Sequence, residues 1–157
     1  MNILRNGSGK ASLIMLICTA ALGAGCSVMP PTNEIKVTLS GTQEVPPVAT
    51  SASGSGTVTI GADKAVSGSV TTSGVNGTAA HIHEAAPGKN GPVIVPMAKS
   101  GDNVWSIPAG AKLTDAQYQS YKDGNLYINV HSAANKGGEI RGQLAPPAGM
   151  EASRPKY

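Results

Sequence analysis

Apolar and polar residues alternate with a period of two in several short segments, which is typical of β-strands that bury one face. The apolar positions of these segments are Ile35, Val37 and Leu39; Val58 and Ile60; Val66 and Val70; and Ile140 and Leu144. Val93–Val95 adds a short continuous apolar run. Gly, Asn, Asp and Pro separate the segments at intervals typical of a β-sandwich or barrel. The pattern therefore predicts an all-β fold.

One short helix interrupts the predicted strands. Thr114 can cap its N-terminus, and Gln117 occupies the position from which a side chain bonds back to the cap. Gly124 then suits the residue that follows a last helical turn. The chain has no Phe, so we expect a core of aliphatic residues around Trp105.

The same period of two places the three histidines of the chain on one side of the sheet. His81 and His83 flank Ile82 and share a face, because side chains alternate along a strand. His131 takes the face opposite to the apolar residues of its own segment. The predicted interior comprises Ile82, Leu126, Ile128, Val130, Ile140 and Leu144, with exposed sequence neighbours. All histidines then lie on the outer face, where three imidazoles could bind Cu, Zn or Ni.

The N-terminal segment is typical of an export signal rather than of a folded element. Residues 1–25 contain basic residues, a short apolar stretch and then small residues before Cys26. This order predicts a lipoprotein-type signal peptide with Cys26 as the lipidation site, although cleavage to a soluble secreted protein is the alternative. Cys26 would be the only cysteine of the mature chain, so it could form no internal disulfide. Residues 26–34 are predicted to be a linker, 35–145 a domain and 146–157 a flexible tail.

Charge gives no indication of a nucleic-acid partner. Between residues 34 and 145 there are eight Lys or Arg and eight Asp or Glu. The formal net charge of +3 therefore comes from the two ends of the chain. The sequence shows no basic patch and no interleaved aromatic residues, so it predicts no nucleic-acid partner. The predicted partners are instead a membrane, reached through the lipid on Cys26, and a metal ion. The sequence identifies no protein partner.

Several ordered motifs resemble the CHRD domain, a family named after chordin and common in exported bacterial proteins. They are Leu39–Pro47, Ala79–His83, Gly124–His131 and Gly137–Leu144. The resemblance covers roughly residues 35–145 and implies an antiparallel β-sandwich or barrel. Together with the N-terminal signal, it predicts an extracytoplasmic binding module, anchored in the cell or outer membrane and facing the periplasm or exterior, with a secreted protein as the alternative. It assigns no chemistry.

A shorter resemblance suggests a metal. His81–Glu84 followed by a Gly/Pro loop is similar to the copper-binding strand of Cu/Zn superoxide dismutase, in which an H-x-H pair and a later histidine bind copper outside a Greek-key β-barrel. His131 would match the later ligand, and Arg141 would match a cation that guides an anion. The chain lacks a fourth histidine and a cysteine pair for the usual disulfide. The resemblance implies a site for Cu at His81, His83 and His131, with Zn as the alternative.

Glu139 and Arg141 are assigned supporting roles at this site. We predict that the pair holds a histidine proton and that Arg141 guides an anion, and the simpler alternative is an ion pair on the outer face. Glu44 is expected only to hydrogen-bond within a loop. Three functions remain open: a metal-binding module, which we favour; a superoxide dismutase-like oxidoreductase; and a metal-free structural or ligand-binding domain.

Overall fold

The computed structural model describes residues 33–147. The predicted signal peptide, Cys26, most of the linker and most of the tail lie outside this range. The described residues form eight strands: β1 Glu34–Ser40, β2 Ser53–Ile60, β3 Val66–Ser73, β4 Gly77–Glu84, β5 Val93–Gly101, β6 Val104–Ser106, β7 Leu126–Ser132 and β8 Ile140–Leu144. A 3-10 turn at Gly41–Gln43 and one α-helix, α1 at Asp115–Lys122, complete the elements.

The eight strands close into an antiparallel barrel with the order β1-β2-β3-β6-β5-β4-β7-β8. β4, β5 and β6 are successive neighbours, and β7 returns to pair with β4. Three hairpin-connected strands with a fourth beside the first constitute a Greek key. The predicted all-β fold, an antiparallel Greek-key barrel with one short helix, is confirmed.

The helix forms where its capping residues predict it. The Thr114 side chain accepts a hydrogen bond from the backbone N–H of Gln117, whose side chain accepts one from the Thr114 N–H. Gly124 follows with a φ of 74°, a conformation that glycine adopts without strain. α1 lies in the connection from β6 to β7 and covers part of the core through the fully buried Tyr121.

The barrel interior contains the side chains that the alternation predicts. The six expected core residues, Ile82, Leu126, Ile128, Val130, Ile140 and Leu144, are all fully buried. Ile128 faces Ile82 across the β4–β7 pair, and Trp105 is 4% exposed. These positions have the face assignment that the sequence predicts.

The expectation that the neighbours of these core residues are exposed is wrong. Tyr127, Asn129 and Arg141 point outward, yet they are 1%, 2% and 2% exposed, respectively. The three connecting segments 41–52, 85–92 and 133–139 lie over the outer face of β4, β7 and β8 and are hydrogen-bonded to it. The barrel therefore has a second buried layer on this side, and that layer is polar.

Candidate metal centre

The pairing of β4 with β7 brings the three histidines together. Ala79 pairs with His131, and His81 pairs with Asn129, so His131 is diagonally adjacent to His81 on the same face. The ring centroids of His81 and His131 are 5.0 Å apart. The centroid of His83 lies 5.6 Å from that of His81 and 5.8 Å from that of His131. One ligand nitrogen from each ring lies within 4.8 Å of the others, so the three histidines could hold a metal ion.

Backbone carbonyl groups fix the tautomers of two of these rings. His83 Nδ1 lies 3.0 Å from the Gly91 carbonyl oxygen, and His131 Nδ1 lies 2.9 Å from that of Lys136. A carbonyl oxygen can only accept, so each Nδ1 carries the proton and donates it. In the neutral rings each Nε2 is then left with a free lone pair. This arrangement is typical of metal-binding histidines.

The Nε2 atoms of His83 and His131 differ in their hydrogen-bond partners. His83 Nε2 is buried and has no hydrogen-bond partner among the described residues. Nε2 of His131 lies 3.1 Å from Nδ1 of His81. Because His131 Nε2 has only a lone pair to offer, His81 Nδ1 donates the proton of this bond. Metal binding through His81 Nδ1 would therefore require that this proton move to Nε2.

The surroundings keep two of the rings neutral. Burial, followed by the positive charge that His131 and His83 would carry, lowers the pKa of His81. Burial is also the largest cause that lowers the pKa of His83, with contributions from His131 and Arg141, against the hydrogen bond to Gly91. Neutral imidazole is the form that binds a metal. The lowered pKa values of His81 and His83 therefore favour the neutral form of these two rings.

Gly91 joins the covering segment to the site. Its carbonyl accepts from His83, and its N–H donates to the hydroxyl of Tyr127 over 3.1 Å. The Tyr127 ring stacks on His83 with a centroid distance of 4.9 Å and an interplanar angle of 12°. A Cβ at this position would lie 1.9 Å from the Glu84 carbonyl oxygen, so the close approach requires glycine. The 85–92 segment therefore orients the His83 ring from two sides.

Arg141 lies beside this cluster but is enclosed. Its Nη1 donates to the carbonyl of Lys89 over 2.8 Å, and its guanidinium carbon lies 3.4 Å from the centroid of the Tyr127 ring. Its charge reaches His83, since it is one cause of the lowered pKa of that ring. Arg141 thus holds the 85–92 segment in place; its guiding role stays a prediction.

The Glu139 carboxylate accepts its hydrogen bonds from residues other than the three histidines and Arg141. It accepts a hydrogen bond from the Thr50 hydroxyl over 3.0 Å. Hydrogen bonds from Ser132, and then from Thr50 and Asn135, hold its pKa below the ordinary value, against the effect of burial. The ion pair expected between Glu139 and Arg141 is absent from residues 33–147, since each has other partners. A contact from Glu139 to a histidine proton also stays a prediction.

The burial of two polar residues of the outer layer, Glu44 and Asn129, was not predicted from the sequence. Glu44 is 5% exposed, and its Oε2 lies 3.4 Å from Nδ2 of Asn129. Glu44 Oε1 and Asn129 Oδ1 are buried without a hydrogen-bond partner in the described part of the chain. Burial raises the pKa of Glu44 to about 7, although Arg141, the Val45 N–H and Asn129 act in the opposite direction. The only signal in the sequence was a lone acid within Leu39–Pro47.

Comparison with protein families now identifies the class of this barrel. The model of the CHRD domain matches residues 35–144, which is most of the chain. The chain therefore belongs to the CHRD domain family, as its motifs predict. Neither a comparison with curated proteins nor one with solved structures found a match.

Membership of this family indicates an extracellular binding module, because CHRD domains are typically extracellular. Between Asn33 and Pro147, no helix is long and apolar enough to cross a membrane.

Proposed function

We propose that this CHRD domain is an exported binding module that holds one Cu²⁺ ion, with Zn²⁺ as competitor, through His81, His83 and His131. The observation that carries the proposal is the buried Nε2 of His83, which has no partner among the described residues. A buried polar atom without a partner costs about 1–3 kcal/mol, and a metal ion bound there would remove that cost. A titration with Cu²⁺ distinguishes a metal ion at this position from a water molecule.

The spacing of the nitrogens supports a metal. Nitrogen ligands lie about 2.0–2.1 Å from Zn²⁺, so two ligands on one ion are about 2.9–3.4 Å apart for bond angles between square and tetrahedral. The distance of 3.1 Å between His81 Nδ1 and His131 Nε2, which a hydrogen bond spans, also falls in this range, so an ion fits there once the His81 proton has moved to Nε2. One ligand nitrogen from each of the three rings lies within 4.8 Å of the others, so the rings must move closer together to bind one ion.

The donor set favours borderline metals and leaves chemistry open. Three neutral imidazoles suit Cu, Zn and Ni, and Cu²⁺ exceeds Zn²⁺ in general affinity for such ligands. Bound copper would supply a redox-active centre, while the chain orients the rings through Gly91 and Lys136 and covers His83 from bulk water. Three ligands leave a coordination position for water or a small anion.

A superoxide dismutase-like activity is the second candidate. The charge of Arg141 reaches His83, and a fixed cation at a metal site can attract an anionic substrate. Assay of the copper-loaded protein decides between this activity and metal binding alone. If the copper-loaded protein consumes superoxide no faster than copper held by a chelator does, the proposed enzymatic activity is rejected.

Titration with Cu²⁺ tests the metal site directly. The chain has only three histidines, so untagged protein with Cys18 and Cys26 replaced by Ser removes the thiol ligands and leaves this imidazole cluster. We expect one Cu²⁺ per chain. His131→Ala should lose at least about tenfold in affinity, because changes to residues that only orient a metal ligand already cost about 10–100-fold. The matched control is Lys136→Ala, since this variant retains the backbone carbonyl through which Lys136 contacts His131.

Equal stoichiometry and affinity in the wild type and His131→Ala would remove His131 from the site. If the wild type binds no ion, the domain is the metal-free alternative.

We further propose that the protein is anchored to a membrane by a lipid on Cys26, facing the periplasm or exterior. The support is the signal-like order of residues 1–25 and the absence of a second cysteine after it. Cys26→Ser will abolish incorporation of labelled fatty acid and move the protein from the membrane to the soluble fraction. If Cys26→Ser stays with the membrane after lipid labelling is lost, the anchor lies elsewhere.

A further inference from the structure

Arg141 carries a positive charge that is buried beside the histidine cluster. The side chain is 2% exposed, and it donates hydrogen bonds to neutral acceptors, which are the Lys89 carbonyl, Asn90 Oδ1 and Gln143 Oε1. It makes no ion pair within residues 33–147, and Glu44 acts on it from beyond the distance of an ion pair. An arginine stays charged across the physiological pH range. Because the charge is buried, solvent and salt screen it only weakly.

Tyr127 lies between this charge and His83. β7 pairs with β4 on one side and with β8 on the other, so His83 and Arg141 belong to strands on opposite sides of Tyr127. The centroid of the Tyr127 ring lies 4.9 Å from that of His83 and 3.4 Å from the guanidinium carbon of Arg141. The charge is therefore within about 8 Å of the centre of the His83 ring, a distance at which charges interact strongly inside a protein.

A fixed positive charge at this distance acts unequally on metal ions of different charge. Coulomb repulsion is proportional to the charge of the ion, so it opposes Cu²⁺ and Zn²⁺ about twice as strongly as Cu⁺. At the effective dielectric constant of a protein, a charge about 8–10 Å away changes an equilibrium that involves one unit of charge by about tenfold. The hydrogen bonds of Arg141 keep its charge from moving away from the site.

We propose that Arg141 is a specificity-determining residue of the histidine site, which shifts the preference of the site from Cu²⁺ and Zn²⁺ toward Cu⁺. This inference rests on the proposed metal site. Among the described residues, the hydrogen bonds of Arg141 go to none of the three histidines, so it acts through space across Tyr127. The relative affinities for Cu⁺ and Cu²⁺ determine the reduction potential of bound copper. Arg141 therefore favours the reduced ion.

The test compares the affinities of the full chain for the two copper ions, with Cys18 and Cys26 replaced by Ser. Cu²⁺ is titrated in air against a competing chelator, and Cu⁺ is titrated without oxygen against a chelator specific for Cu⁺. Arg141→Gln should raise the ratio of Cu²⁺ to Cu⁺ affinity by about tenfold, which corresponds to a reduction potential lower by about 59 mV. Arg141→Lys loses the same planar hydrogen-bonding group but keeps the charge, so its ratio should stay closer to that of the wild type.

Asn90→Asp tests the same charge without removing Arg141. Asn90 is exposed, and its Oδ1 lies 3.4 Å from Arg141 Nη1, so this substitution places a carboxylate against the guanidinium. It should change the ratio in the same direction as Arg141→Gln. The matched control is Asn103→Asp, the same change at an exposed position in the turn between β5 and β6, which should leave the ratio unchanged.

The outcomes separate this inference from the metal site itself. Bound copper with an unchanged ratio in Asn90→Asp, or an equal rise in Arg141→Gln and Arg141→Lys, would overturn the role of Arg141 and leave the metal site intact. A wild type that binds neither copper ion would overturn the metal site and this inference with it. If Arg141→Gln does not fold, the comparison of Asn90→Asp with Asn103→Asp decides the question by itself.

Discussion

Replacement of Ile128 by Ala will lower the free energy of unfolding by about 2–5 kcal/mol. Ile128 is fully buried at the centre of β7, where it pairs with Ile82 on β4 and Gly142 on β8. The neighbouring strands are held by the closed barrel, so they cannot collapse into the space that the truncated side chain leaves. Chemical denaturation monitored by the fluorescence of Trp105 measures the change.

The matched control is Val93→Ala, which also removes aliphatic carbon from a strand. Val93 is 49% exposed, so the substitution should change stability by no more than about 0.5 kcal/mol. A loss below about 1 kcal/mol for Ile128→Ala would mean that this position does not lie in a packed interior. The face assignment of β7, and with it the outward direction of His131, would then be inverted.

The parts of the fold that could be predicted are those governed by a local period. Ile35, Val37 and Leu39 alternate with polar residues, so one face of β1 is evident from the sequence. In Ser53–Ile60, by contrast, Gly takes half of the inward positions, and only Val58 and Ile60 indicate a strand. Strand β6 was not predicted, because three residues are too few to show an alternation of apolar and polar positions.

The covering of the outer face depends on contacts between distant residues and could not be predicted. Arg141 reaches Lys89 and Asn90, which lie more than 50 positions away in the chain. Asn90 donates to the carbonyl of Val45, which joins two of the covering segments. A charged residue at an outward position normally indicates solvent. Here it is buried because segments with little hydrophobic pattern of their own fold over it.

The histidine cluster was accessible to sequence reasoning only in part. The shared face of His81 and His83 follows from their spacing in one strand. The proximity of His131 requires that β7 pair with β4 in a particular register. The resemblance to the dismutase copper site suggested only a third ligand on a later strand, and the alternation alone did not place it. The orphan Nε2 of His83 depends on Gly91 and could be found only in three dimensions. The burial of Glu44 was not predicted, because a lone acid in a loop has no distinguishing pattern.

A Cu²⁺ concentration of about 100 times the wild-type Kd will raise the unfolding temperature of the wild type, and it will raise that of His131→Gln by no more than about half as much. A ligand that binds only the folded state stabilises it by about 2.7 kcal/mol at 100 times its Kd. For a domain of this size that is roughly 10 °C. Each variant is compared with and without metal by calorimetry, so any direct effect of the substitution cancels. An equal rise in both proteins would place the ion elsewhere.

The stabilisation by metal must also decrease on acidification. Burial lowers the pKa of His81 and His83 below the ordinary 6.5, so both stay neutral in the folded protein below the pH at which the unfolded chain protonates. In that window the unfolded state binds more protons, and the metal-free domain loses stability as pH falls. Protons also displace the metal from the folded rings as pH falls through the lowered pKa values. The rise in unfolding temperature caused by Cu²⁺ should therefore persist at about pH 6.5 and vanish at more acidic pH. The measurement is the difference in unfolding temperature with and without Cu²⁺ across this range. An increment that is constant down to about pH 4 would exclude histidine ligands.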